Sequence, residues 1–189
     1  MADFTDHIQQ VSDPATQRAL IALLGAVRTD LNAIQTHLSS DGIVIASTLS
    51  KGSTPENVAN TGFGYVIDGL QLYKAAVAAG TAFTGGTVNT GAAAPLVFGG
   101  WAWQINAAGT ISALPASGDQ VHATAAAALA YAQGLTPTAG NVFFGYSVIG
   151  SKASTAWRAG TDDLTPGSDC QTAAFTSVAS TIPTLTFTE

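Results

Sequence analysis

The sequence predicts a mainly β protein, an antiparallel β-sandwich or jelly-roll-like domain preceded by an N-terminal α-helical coiled coil. Three observations lead there. Apolar residues between Pro14 and Leu38 recur at steps of 4, 3, 4, 3 and 4. From Gly42 onward the period changes from helical to alternating, and Gly-rich turns then punctuate the chain at near-regular intervals. These divide the chain into an N-terminal anchor tail (1–13), a coiled-coil helix (14–41) and an antiparallel β-domain (42–189).

The helix has both of its ends written in the sequence. Asp13 can cap the first turn, and Pro14 fits the first helical position, where its missing N–H costs nothing. Gly42 is expected to close the segment after Ser39, Ser40 and Asp41. A helix of about 25 residues would be roughly 37 Å long at the usual rise per residue. Its seam is Leu20, Leu24, Val27, Leu31, Ile34 and Leu38, the candidate oligomerisation residues.

The step of four from Leu20 to Leu24 sets the register: Leu20, Val27 and Ile34 fall at d, and Leu24, Leu31 and Leu38 at a. Leucine at a with β-branched residues at d shifts the preference from dimers toward trimers or tetramers. Ile21 at e and Leu23 at g widen the apolar face, as a higher-order bundle needs. Burying each seam side chain contributes about 1.5–3 kcal/mol before entropy is subtracted. Gly25 costs about 1 kcal/mol relative to Ala in a helix, but it falls at an outer b position. The alternative is that this helix packs on its own β-domain.

Beyond it, Ile43–Thr48 reads as a strand, and Asp68-Gly69 between two alternating runs is a hairpin signal. Strands are expected near Gly64–Ile67, Leu70–Val77, Ala82–Val88, Leu96–Ile105, Thr110–Leu114, Ala126–Ala132, Val142–Gly150 and Ser180–Phe187. Turns fall at Ala107-Ala108-Gly109 and Pro137-Thr138-Ala139-Gly140. The run His122–Gly134 is ambiguous: its alanines favour helix, whereas its strand-like neighbours favour strand, and the reading leans to strand.

Composition narrows the function classes. At 189 residues the chain has room for one ordinary domain and a short extra element. Charged residues make up 10%, so the surface must be largely Thr, Ser, Asn, Gln and Ala. A net charge of −6 with six Lys and Arg argues against a nucleic-acid partner, because phosphate tracking draws on clustered cations. The N-terminal MADFTDHIQQ lacks a basic region followed by an apolar core, so no secretory signal is expected. No apolar run reaches the roughly 18 residues of a membrane span, so no membrane partner is expected either.

Searches for chemistry end in near-misses. Gly62-Phe63-Gly64-Tyr65 begins like a dinucleotide fingerprint, but Ile67 stands where the third glycine belongs and a strand comes next. In Gly145–Lys152 the hydroxyl residue precedes the lysine, the reverse of a phosphate-binding loop. Cys170 stands alone and reads as an inert thiol. His7, His37 and His122 have no evident nucleophile beside them. Asp162 and Asp163 are adjacent and point apart on an extended segment, and with Asp169 they lack the spacing of a calcium loop. Trp101 and Trp103 share one sheet face, and with Trp157 they read as core or interface aromatics before they read as a sugar platform. Catalytic, cofactor-binding and metal residues are therefore expected to be none, with no cofactor and no enzymatic activity.

Three stretches carry a resemblance: STLSKGSTPENVANTGFGYVIDGLQLYKAA, then WAWQINAAGTISALP, then TPTAGNVFFGYSVIGSKASTAWRAGTDDL. From about Ser47 to Leu164 the chain resembles a loosely defined group of tailed-bacteriophage virion proteins, described as head fibres or capsid decoration proteins. The shared order is a Gly-Ser-Thr turn, a YVIDG hairpin, a strand closed by an AAGT turn, and a GYSVI strand leading to a GTDDL loop. The resemblance implies a β-rich module displayed on a virion, trimeric and attached by an N-terminal segment. It transfers no catalytic residue.

The expected protein is thus a non-enzymatic homotrimer assembled in the host bacterial cytoplasm. Its N-terminal segment would dock to the major capsid protein or another virion protein. The alternative is a tail-associated receptor- or polysaccharide-binding module, with a host-surface glycan as its partner.

Overall fold

The computed structural model describes residues 13–88 and 96–180, with backbone alone at 37–39. It is mainly β, with one long helix at the N-terminal end. Helix α1 spans Pro14–Ser39, 26 residues. Asp13 caps it, its carboxylate accepting from the backbone N–H of Ala15 at 3.2 Å and of Thr16 at 3.1 Å. At the other end Ser40 turns extended, and its N–H and hydroxyl both donate to the Thr36 carbonyl. Gly42, expected to close the helix, instead opens the first strand.

Among the described residues, thirteen strands and one more helix lie beyond it: β1 (Gly42–Ile45), β2 (Leu49–Lys51), β3 (Asn57–Asn60), β4 (Phe63–Ile67), β5 (Leu70–Lys74), β6 (Val77–Ala82), β7 (Thr87–Val88), β8 (Phe98–Asn106), β9 (Ile111–Leu114), β10 (Asp119–Gln120), α2 (Ala125–Gln133), β11 (Asn141–Ser151), β12 (Trp157–Arg158) and β13 (Cys170–Ser177). They form four small sheets, ordered β1-β4-β5, β2-β3-β6, β13-β11-β8-β9 and β10-β7-β12. Pairing is antiparallel except between β10 and β7, which run parallel, so the region is not purely antiparallel. The β4–β5 hairpin turns on Asp68 and Gly69, both at positive φ (51° and 74°), as a two-residue turn matching strand twist requires.

The centre of the β-region is aromatic. Trp101 and Trp103 lie two apart on β8 and both point inward, fully buried. Phe83 meets Trp101, Trp103 and Trp157 edge-on at 5.1, 4.9 and 5.2 Å. Each such contact adds about 0.5–1.5 kcal/mol beyond the area buried. Phe63 of the first sheet stacks on Phe144 of the four-stranded sheet at 4.6 Å, so the two sheets share this core. The indole N–H of Trp103 donates to the Ser147 hydroxyl at 3.0 Å, and that of Trp157 to the Asp163 carbonyl at 3.3 Å.

Several expectations need correction. The stretch Ala126–Ala132, read as a strand, is helix α2. Thr124 caps it by accepting from Ala127 N–H, and Ala128 and Ala132, one turn apart, are its buried face. It settles on β8 because Gly100 is bare: a Cβ there would collide with the Ala128 carbonyl oxygen. Alanine's helix preference wins because small side chains allow that approach, which a strand there could not use.

The stretch Leu70–Val77 breaks after Lys74, and Val77 opens β6 in a different sheet. Ala82–Val88 is not continuous either. Gly85 and Gly86 sit at positive φ, which turns the chain and leaves β7 two residues long. Ile43–Thr48 is paired only to Ile45, where a bulge interrupts the register. Ser180 lies outside any strand, and 181–187 fall outside the described residues. The last described strand is β13, whose Cys170-Gln-Thr-Ala-Ala-Phe-Thr-Ser sequence has too few large apolar residues to announce itself.

Candidate oligomerisation site

The seam of α1 is left open by the rest of the described chain. Val27 is 45% exposed and Leu31 60%, while Leu20 and Ile34 are half-exposed and Leu24 is open to solvent. The Leu38 side chain lies outside the described residues. Ile21 and Leu23, which widen the face, are exposed as well. Among the described residues no strand packs along the helix as a second layer. The backbone places Leu20, Leu24, Val27, Leu31 and Ile34 at helical steps of 4, 3, 4 and 3 along one stripe, the geometry of a seam. Gly25 sits with open space around it.

Polar residues hold the two ends of this helix. The Thr16 hydroxyl and the N–H groups of Thr16 and Ala15 keep the Asp13 carboxyl below its ordinary range. At the C-terminal end only Ser40 and Asp41 separate α1 from β1. The Asp41 carboxylate accepts from the Asp68 backbone N–H at 2.7 Å, which ties the helix exit to the tip of the β4–β5 hairpin. Sequence reasoning misses this tie, because a lone Asp after a helix resembles any turn residue.

Several other residues weighed for chemistry make structural contacts. Asp162 accepts from the Arg158 backbone N–H at 2.7 Å and pairs with its guanidinium at 3.7 Å, closing a turn. The Thr165 hydroxyl and N–H hold the Asp163 carboxyl below its ordinary range, and Lys51 donates to the same hydroxyl at 2.9 Å. Among the described residues no group of three or more His, Cys, Asp or Glu could hold a metal ion. Cys170 is fully buried, and burial pushes its thiol up to about 11. The His122 ring lies against Tyr131 at 4.9 Å. His7 lies outside the described residues, as does the side chain of His37.

The tryptophans cannot serve as a sugar platform from inside the core; the tyrosines facing solvent are Tyr73 and Tyr131. No described helix is long and apolar enough to cross a membrane. No protein-family model, no curated protein and no solved structure matches this chain.

Proposed function

We propose that this chain is a non-enzymatic structural protein of a bacteriophage virion, a capsid-attached head fibre or decoration protein that works as a homotrimer. One observation carries the assembly: a heptad seam stands in solvent on a capped helix that the described sheets leave uncovered. An apolar stripe of that length left in water is the mark of an interaction surface. Leucine at a with Val27 and Ile34 at d favours three or four strands over two, and the resemblance to trimeric phage virion proteins selects three. In this reading α1 becomes one strand of a coiled coil.

The sheets beyond it, with Phe63 against Phe144, make a sandwich-like lobe. Three such lobes then stand side by side around a three-fold axis, and the N-terminal segment docks to the major capsid protein or a neighbouring virion protein. Docking at several equivalent sites raises effective concentration, so each contact can be weak. The surface, poor in charge and rich in Thr, Ser and Ala, suits display rather than catalysis.

Sedimentation of the purified chain tests the reading. A trimer is expected, and Leu31→Asp should dissociate it by placing three carboxylates in the seam. A monomeric parent chain with a folded β-region overturns it. The tail-associated, polysaccharide-binding alternative draws support from exposed Tyr73 and Tyr131, and a glycan array separates it from a purely structural role.

A further inference from the structure

Strand β4 is buried on both faces, and the core accounts for one of them. Phe63, Tyr65 and Ile67 alternate along it and join the hydrophobic core. Val66 points the opposite way, outside that cluster, and is nevertheless 0% exposed. Its cross-strand neighbours are Gly42, which has no side chain, and Gln71, which is exposed. Among the described elements the main neighbours of β4 are β1 and β5, beside it in the sheet, and β11, on the core side. The outer face of a small antiparallel sheet meets water unless something is laid over it. A further part of the chain therefore covers Val66.

The described chain ends at this place. After β13 it leaves the four-stranded sheet, Val178 donating its N–H to the Phe144 carbonyl. Two residues on, the Ser180 hydroxyl donates to the Val44 carbonyl of β1. Val44 also lines an open groove in which Ile45, Gly64 and Tyr73 form one cross-strand row. Its volume of about 270 Å³ falls below the roughly 300–1,000 Å³ of small-molecule sites and suits side chains instead.

We propose that residues 181–187 of the same chain lie over the outer face of this sheet, starting at β1, so that their apolar side chains cover Val66 and enter the groove. Three arguments select this segment. Ser180, directly before it, is already bonded to β1. Leu185 and Phe187 alternate with Thr184 and Thr186, the period of a strand with one apolar face, and threonine suits extended backbone. At about 3.3 Å per residue the segment also has the reach to pass along β1 and onto β4. The other stretches outside the described residues start elsewhere. Residues 1–12 lead into the far end of α1, and 89–95 join β7 to β8. A second copy is the rival occupant, but the bond at Val44 is made by this chain's own Ser180. The inference does not rest on the trimer reading.

The test uses the full chain with a benzophenone amino acid in place of Phe187, refolded as an equal mixture of ordinary and heavy-isotope copies. After irradiation, mass analysis should place the crosslinks at residues 42–45, 64–66 or 71–73 within one copy. Crosslinks between light and heavy copies, crosslinks elsewhere in the chain, or none to these residues overturn the inference. A second variant, Leu185→Ser combined with Phe187→Ser, leaves the aromatic centre untouched. Hydrogen exchange at residues 63–67 should then quicken at least about tenfold while β8 and β11 keep their protection. Unchanged exchange at 63–67 overturns the inference as well. Sedimentation of the parent judges the trimer separately, so either reading can fail without the other.

Discussion

Helix α1 and the aromatic centre of the β-region are both rich in large apolar side chains and use them in opposite ways. Phe83 and the tryptophans around it are sealed from water by the chain's own sheets. Among the described residues, Leu23, Leu24, Val27 and Leu31 of α1 stand exposed to solvent on a helix held by its caps and backbone hydrogen bonds. Helix nucleation is costly, and in proteins most helical stability comes from packing of an apolar face rather than from propensity. The β-region therefore buries its large apolar side chains within one chain, whereas those described on the helix are left largely unburied. If the helices associate as proposed, stability and assembly are separable in this molecule.

That separation can be broken at defined points. Phe83→Ala removes the ring that three tryptophans meet, and it should cost about 3–5 kcal/mol of β-region stability in urea unfolding monitored by tryptophan fluorescence. A cost under about 1 kcal/mol would show that the aromatic centre is not what holds the sheets together. Gly100→Val forces a side chain against the Ala128 carbonyl, and it should cost about 1–3 kcal/mol by lifting α2 from β8. Loss of α2 should appear in hydrogen exchange at residues 125–133 before the sheet is affected.

Leu31→Asp has the reverse signature. At concentrations where the parent chain is dissociated, it should shift the β-region's unfolding by no more than about 0.5 kcal/mol, since the side chain faces solvent. A large shift there would mean that the seam leans on the sheets after all. The smallest effect is electrostatic. Asp13 has its folded-state carboxyl held below the ordinary 3.8, so its cap is intact above that value and is lost as pH falls through the depressed one. Helical circular dichroism should decline over that acid range in the parent, and the decline should flatten in Asp13→Asn, where the amide still caps but does not titrate.

Local signals in the chain are legible where one residue type dictates one conformation. Asp13-Pro14 marks the start of α1, Asp68-Gly69 marks the β4–β5 turn, and the two-residue period of Trp101 and Trp103 places both on one face. Legibility fails where a neighbour decides. His122–Gly134 leans to strand because its neighbours in sequence are strands, but the deciding neighbour is Gly100, about 28 positions before Ala128 and in contact with it only after folding. The row formed by Ile45, Gly64 and Tyr73 is invisible in the sequence for the same reason: the three become neighbours only through strand pairing.

Read along the chain alone, the residues are enough to specify the capped helix with its heptad seam, the tight hairpin and the β character of the remaining chain, because these depend on backbone preference and periodicity over a few positions. Three other outcomes arise only on folding: the described strands divide among four small sheets, the alanine run becomes a helix laid on a bare glycine, and Leu24, Val27 and Leu31 of the seam stay in water. Those outcomes depend on which distant surfaces meet. A period along the chain specifies a face but not the surface it packs against.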